Sequence, residues 1–294
     1  MKEAENMVMQ GDRKRVWAGA GVLLGLGLLF LLQGVAGSLP IELFRFPLNL
    51  ILLLIWAWNL VALYRRCHES KGVQWLLSMS ATRLSLLFLV VIGLFFGLQT
   101  EPAATSWPVV GMLLFVQSVL GLVILRGWRN EQGVRYAFLL NHVGLWIALV
   151  GAFWGAPDRE ELRVAVEREV ATREAYRPDG SRTLLAYEMR LREFYLTTHA
   201  DGSPSSFEAE VEVAGKEVSL RVNHPYQLNF GEAVYLISYD RSASSPRYCI
   251  VEVVREPWRG VSLVGIGMMI LGALSSFLVG HRGPEKPTLK TKNE

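Results

Sequence analysis

The chain has 294 residues, 51% of them apolar, and a formal net charge of +3. The average hides a division: the first half is oily and the middle is charged, which excludes an ordinary soluble domain throughout. There are two cysteines and neither a Cys-x-x-Cys nor a Cys-x-x-Cys-His run. This excludes thiol–disulfide exchange by this chain alone and excludes a c-type cytochrome.

In chain order, six runs have about the length a helix needs to cross a bilayer, roughly 20 residues. They are predicted at 17–36, 48–64, 82–99, 108–125, 137–155 and 260–280. The first exceeds the usual apolar core of a signal peptide, about 7–15 residues, and a second follows closely, so it is read as a retained span. Gly21 and Gly25 give it a small-xxx-small spacing. In the second, "WAWNL" places Asn59 as a hydrogen-bonding residue of the bundle, with Trp56 and Trp58 as interface anchors or packing residues. The fourth carries Gln117 and Ser118, expected to face the bundle.

Lys and Arg sit at alternate ends of these runs. Arg13, Lys14 and Arg15 precede the first. Arg65, Arg66, Lys71 and Arg83 separate the second and third. Arg126, Arg129 and Arg135 separate the fourth and fifth, and Arg282, Lys286, Lys290 and Lys292 follow the sixth. The opposite short loops, residues 37–47 and "QTEPAATSW", hold only Arg45. The positive-inside rule then puts both termini in the cytoplasm and residues 156–259 outside. The positive charge is accounted for by topology and lipid contact, with no nucleic acid needed.

Residues 156–259 change character. "AYEMRLREFYL" alternates Tyr187, Met189 and Leu191 with Glu188, Arg190 and Arg192. "FEAEVEVAGKEVSLRV" reads as a hairpin turning near Ala214-Gly215-Lys216, with Phe207, Ala209, Val211 and Val213 on one face, continued by Val218, Leu220 and Val222. "AVYLISY" and "YCIVEVV" are further strands, and "THADGSPSS" is a loop. The fold class is therefore a membrane α-helical bundle of six predicted spans with one external β-rich domain between spans 5 and 6. Its parts are a cytoplasmic N-terminus (1–16), an N-terminal transmembrane hairpin (17–65), three core spans (80–155), the periplasmic β-rich domain (156–259), the last span (260–281) and a cytoplasmic tail (282–294). Val211, Leu220, Leu236 and Val251 are expected to point inward, and Pro257-Trp258 to set the return to the bilayer.

Among five histidines, His68 lies in a loop beside Cys67 and Glu69, where adjacent residues make a poor ligand set. His199 and His281 occupy polar surroundings, and His224 precedes Pro225 in a turn. His142 differs. In "FLLNHVGLWIALVGAFWG" it lies about five residues inside span 5, roughly 7–8 Å past the cytoplasmic end. An ionisable side chain there needs a partner or a task. Two readings stay open: an interfacial histidine bonded to a neighbouring helix, or an axial haem ligand. Trp146, one turn on along the same face, is a candidate to pack against a porphyrin. Gly144 and Gly151 leave room beside the helix. Asn141 points about 100° away, so the acceptor for the second ring nitrogen is expected on another helix. No catalytic residue is assigned.

The run "FLLNHVGLWIALVGAFWGAPDREELRV", then the external domain, then "VNHPYQLNFGEAVYLISYD" and "YCIVEVVREPWRGVSLVGIGMMILGAL" resembles the ResB (CcsB) family of cytochrome c biogenesis proteins. The resemblance covers about residues 80–282; the first two spans resemble the added amino-terminal pair of a Bacteroidetes-type form. It implies a subunit of a System II cytochrome c synthase of the bacterial inner membrane. With a CcsA-like membrane partner, the subunit would move haem (b-type, shared with the partner) outward and support its attachment to apocytochrome c; a thiol-reducing partner is also implied. The family's membrane-embedded haem-ligating histidine maps onto His142. No Trp-Trp-Asp-type run is present, so the chain is expected to be a non-catalytic or co-catalytic subunit of the haem lyase. A structural or assembly subunit that binds no haem is the alternative. A b-type electron-transfer anchor is disfavoured, because no second histidine is well placed in the spans.

Overall fold

The structure is a computed structural model that describes residues 2–98, 105–130, 133–199, 204–241 and 246–280. It divides into a helical unit, residues 1–154 with 261–294, and a β unit, residues 155–260.

The helical unit is built from α1 (Lys2–Ala36), α2 (Leu48–Cys67), a short α3 (Lys71–Leu76), α4 (Met79–Leu98), α5 (Trp107–Gly127), α6 (Tyr136–Trp154) and α7 (Arg259–Gly280). A two-residue ribbon, β1 (Arg129–Asn130) with β2 (Gly133–Val134), joins α5 to α6. Five helices are long and apolar enough to cross a membrane: Gly19–Ala36, Leu48–Cys67, Trp107–Gly127, Tyr136–Trp154 and Arg259–Leu278; the apolar stretch of α4 is shorter, Met79–Phe95. All-apolar helices suit a solvent that offers no hydrogen bonds, because each satisfies its own backbone. Residues 281–294, including His281, lie outside the described residues.

Helix α5 is the hub. It packs against α1, α2, α4 and α6, and 44% of its span is buried, against 17% or less for the others. Val109, Met112 and Val116 join Phe88 and Ile92 of α4 in one cluster, while Val119 meets Trp75 and Ala81 in another. Gln117 is fully buried, as its sequence position predicts; Asn59 is not, for it is exposed and bonds only the Ile55 carbonyl of its own helix. A Cβ placed at Gly21 or Gly25 would meet no other element within 4 Å among the described residues.

The β unit is one eight-stranded antiparallel sheet. Its strands are β3 (Glu160–Glu167), β4 (Thr172–Tyr176), β5 (Arg182–Thr198), β6 (Pro204–Val213), β7 (Lys216–Arg221), β8 (Tyr226–Asn229), β9 (Glu232–Tyr239) and β10 (Tyr248–Arg255), in the order β7-β6-β5-β4-β3-β10-β9-β8. The sheet curls around a single core. Val164, Met189, Val211, Leu220, Val234 and Val251 are each fully buried in it, and β7 also packs against β9. The two edge strands, β7 and β8, are consecutive in sequence, and the isolated Arg221–His224 bridge closes the turn that follows β7.

The hairpin turn falls at Ala214-Gly215, where both residues take positive φ, 52° and 77°. A glycine is suited to that backbone. Two expectations need correction. Val222 lies past the end of β7 and is 37% exposed, because the chain turns through Asn223 at φ 61°. The expected "THADGSPSS" loop is partly strand: Thr197 pairs with Ser206 and Thr198 with Pro204. The ends of the unit are fastened together, since Trp258 Nε1 donates to Asp158 Oδ2 at 2.6 Å and Arg159 pairs with Glu256 at 3.1 Å.

Burial pushes the Cys249 thiol up to about 12, whereas Cys67 is exposed. In a Cys67→Ser background, Cys249 should therefore resist maleimide at pH 8 until the β unit opens. Adding Leu220→Arg places a charge opposite Ala209 in the core and should destabilise the unit by more than about 3 kcal/mol. Rapid labelling of Cys249 is the expected readout; unchanged protection would refute the strand phase.

Candidate functional site: the His142 face of α6

The site is built on one face of α6. Phe138, His142 and Trp146 recur at intervals of four and so line up along it. His142 is half-buried. Its Nδ1 lies 2.9 Å from the Phe138 carbonyl. A carbonyl oxygen only accepts, so Nδ1 is the donor in this bond, and in the neutral ring that leaves the lone pair on Nε2. The acceptor is thus one turn back on the same helix, which corrects the expectation of a group from another helix. Asn141 plays no part; its Nδ2 donates to the Ala137 carbonyl at 3.0 Å.

The Phe138 ring stacks on the imidazole, with centroids 4.0 Å apart, and the Arg135 guanidinium lies 4.7 Å over the other ring of the pair, Phe138. The two aromatics that bracket His142 are each seated over a glycine of α5. A Cβ at Gly127 would lie 2.6 Å from Phe138 Cζ, and one at Gly121 would lie 3.3 Å from Trp146 Nε1.

Trp146 belongs to a cluster of three indoles. It stacks on Trp56 of α2, centroids 5.9 Å apart and planes 8° apart, and Trp56 also meets Trp154 at 5.9 Å. Gln117 ties the cluster to α5: its backbone oxygen accepts from Trp146 Nε1 at 3.2 Å and its Oε1 accepts from Trp154 Nε1 at 3.1 Å. Asn49 Nδ2 donates to the Trp154 carbonyl at 2.9 Å. One face of Trp146 is thus covered by Trp56. The cluster escaped sequence reading because its members come from three helices; the signal was the coincidence of Gln and Trp in otherwise apolar runs.

The room expected beside Gly144 and Gly151 is filled by α7. A Cβ at Gly144 would lie 2.7 Å from the Gly265 carbonyl, one at Gly151 would lie 2.5 Å from Ser262 Oγ, and one at Gly272 would lie 2.7 Å from Asn141 Oδ1. This close backbone approach is the small-residue packing of membrane helices. It occupies the side of α6 away from His142, so the glycines serve helix packing and leave the His142 face to α5. Elsewhere, His68 lies 3.7 Å from Glu69 with both side chains exposed. Among the described residues no group of three or more His, Cys, Asp or Glu side chains is placed to hold a metal ion. A haem iron needs fewer protein ligands than such a group, and the free Nε2 lone pair of His142 suits it.

Residues 131–248 match the ResB-like family. The match takes in α6 with His142 and the β unit as far as the start of β10, a narrower stretch than the motifs indicated. The matched segment is thus similar to the family that the sequence motifs resemble. No curated protein sequence matches. Among solved structures, Cytochrome c Heme Lyase CcmF aligns over 87% of this chain and 44% of that chain, at 14% identity and a TM-score of 0.37. The chain therefore spans less than half the length of that protein, and a likeness this shallow carries no functional weight.

Gly127→Leu should collide with Phe138 and destabilise the helical unit by about 1–3 kcal/mol, an overpacking effect. Combining it with Phe138→Ala should cost less than the sum of the two changes, because the double variant removes the collision. Unfolding midpoints of the four proteins in an SDS titration check this; strict additivity would show that Gly127 and Phe138 do not touch.

Proposed function

We propose that the chain is a haem-handling subunit of cytochrome c biogenesis, in which His142 supplies one axial ligand to haem carried as substrate. The observation that carries the reading is the Nδ1–Phe138 hydrogen bond. Metal-ligating histidines commonly donate their second ring N–H to a backbone carbonyl, which fixes tautomer and ring orientation. His142 has that arrangement, inside a ResB-like segment.

Haem iron, when bound, takes imidazole nitrogen as an axial ligand. The chain's own residues orient the imidazole, through the Nδ1 contact with the Phe138 carbonyl, and limit its rotation by the Phe138 stack. Gly127 and Gly121 seat the flanking rings and so set the azimuth of α6 against α5. Trp146 supports the site as a wall packed on Trp56.

In this reading the chain acts in the bacterial inner membrane with a CcsA-like partner, which contributes the second axial ligand. It serves the System II route, supporting covalent attachment of haem to apocytochrome c without itself forming the bond. The Lys and Arg distribution supports cytoplasmic termini and a periplasmic β unit. Helices α1 and α2 would be the added amino-terminal pair.

Replacing His142 by Ala, in the chain co-expressed with its partner, should sharply lower co-purified haem and holocytochrome yield at nearly normal protein level. Added imidazole should restore part of both by filling the gap with a free ligand. Full haem occupancy and full maturation in the Ala variant would make His142 a packing residue. Topology is checked separately: a reporter active only outside the cytoplasm should work when fused after residue 199 and fail after residue 72 or 130.

A further inference from the structure

The β unit carries a cleft of ≈ 440 Å³ on the outer face of its sheet. Its origin is a wide irregularity in β5. Thr172 pairs with Met189 and Glu174 with Leu184, so a step of two residues on β4 faces a step of five on β5. The extra backbone lifts Ala186 to Glu188 away from β4, and the Ala214-Gly215 turn forms the far wall. Irregularities of this kind re-aim side chains and concentrate at functional positions.

Two arginines line the cleft, Arg173 and Arg190. Arg173 spends its Nε on the Leu185 carbonyl at 3.0 Å, which fixes the stem and leaves the terminal nitrogens of the fork. The Nε of Arg190, like that of Arg192 in the same strand, is buried and has no hydrogen-bond partner. Glu212 faces Arg190 across the β5–β6 register and also lines the cleft; one oxygen of that carboxylate, Oε2, pairs with Arg192 at 2.7 Å. Arg192 also holds Glu169 at 2.8 Å. A buried guanidinium N–H without an acceptor is costly, and the planar fork matches a carboxylate. The remaining lining is largely small and apolar, from Ala171, Ala186 and Ala214. Glu188 stands exposed at the same cleft and disfavours ligands of high negative charge.

We propose that this cleft is a binding site for an organic carboxylate with a compact apolar body, held by Arg190 and Arg173. The carboxylate has two chemical sources, a porphyrin propionate or an acidic side chain of an extended peptide. The site stands on the β unit alone and does not depend on His142.

The test uses the full chain in detergent and 4-(trifluoromethyl)benzoate as probe, followed by ¹⁹F line broadening. The benzoate should bind, and the neutral 4-(trifluoromethyl)benzamide should not. Arg190→Ala should weaken the benzoate at least about tenfold, the loss expected for one charged hydrogen-bonded contact. His142→Ala should leave it unchanged, and Glu188→Gln, which keeps the fold and removes the nearby negative charge, should tighten it. Metal-free protoporphyrin, which cannot take an axial ligand, is then compared with its dimethyl ester, and an Asp-rich peptide with its Asn counterpart; the arm in which the acid form alone competes with benzoate names the source. Equal binding of benzoate and benzamide, or affinity untouched by Arg190→Ala, overturns the proposal. So does competition by neither acid form. None of these outcomes bears on haem ligation at His142, which is read from haem content.

Discussion

Helix α6 is gripped on two sides by two different kinds of contact, and the orientation of His142 depends on both. Toward α7, Gly144 and Gly151 meet Gly265 and Ser262 at backbone distance. Toward α5 and α2, the grip is aromatic and polar: Trp146 and Trp154 each donate an indole N–H to Gln117, and Trp56 packs between them. The first contact sets how close the helices come. The second sets rotation, because a hydrogen bond is directional and a methylene contact is not. In hydrocarbon there is no water to take over a lost partner, so these few polar contacts carry more of the specificity than their number implies.

The histidine is placed at the end of this chain of constraints. Gly127 admits the Phe138 ring, Phe138 covers the imidazole, and the Phe138 carbonyl takes the Nδ1 proton. The result is an imidazole held by Nδ1 with Nε2 turned away from that bond, the ring nitrogen through which it could serve as a ligand. The β unit follows a different logic. It closes on itself around an apolar core and ties its two ends through Trp258 and Asp158. Tyr187, Glu232 and Arg255 form a polar network beside that core, and burial raises the Tyr187 hydroxyl above its ordinary range.

Much of the fold was legible because its signals are local. Five of the six apolar runs gave helices whose ends fall within a few residues of the expected ones, since length and hydropathy act one segment at a time; the first, expected at 17–36, is part of a helix that already begins at Lys2. Strict alternation placed Ala209, Val211, Val213 and Leu220 in the core. Alternation failed where the chain leaves the regular strand, at Val222 and beyond Leu191, where a shift in the β5–β6 register brings Phe194 inward. The site was legible only in part. His142 stood out as an ionisable residue in an apolar helix, but its acceptor did not, because a backbone carbonyl carries no sequence mark. The glycines were noticed for the space they leave; which element fills that space is a tertiary fact that a one-dimensional pattern does not hold. The cleft at Arg173 and Arg190 was invisible for the same reason, since it arises from unequal strand lengths between paired positions.

The central claim is that the side chain at position 142 touches haem iron. The most direct measurement is the optical and EPR spectrum of the haem that co-purifies with the chain and its partner when His142 is replaced by Cys. Direct ligation predicts that the imidazole signature is exchanged for that of a thiolate-bound iron. A haem spectrum identical to that of the unaltered protein would contradict the account, because iron would then be held by other groups.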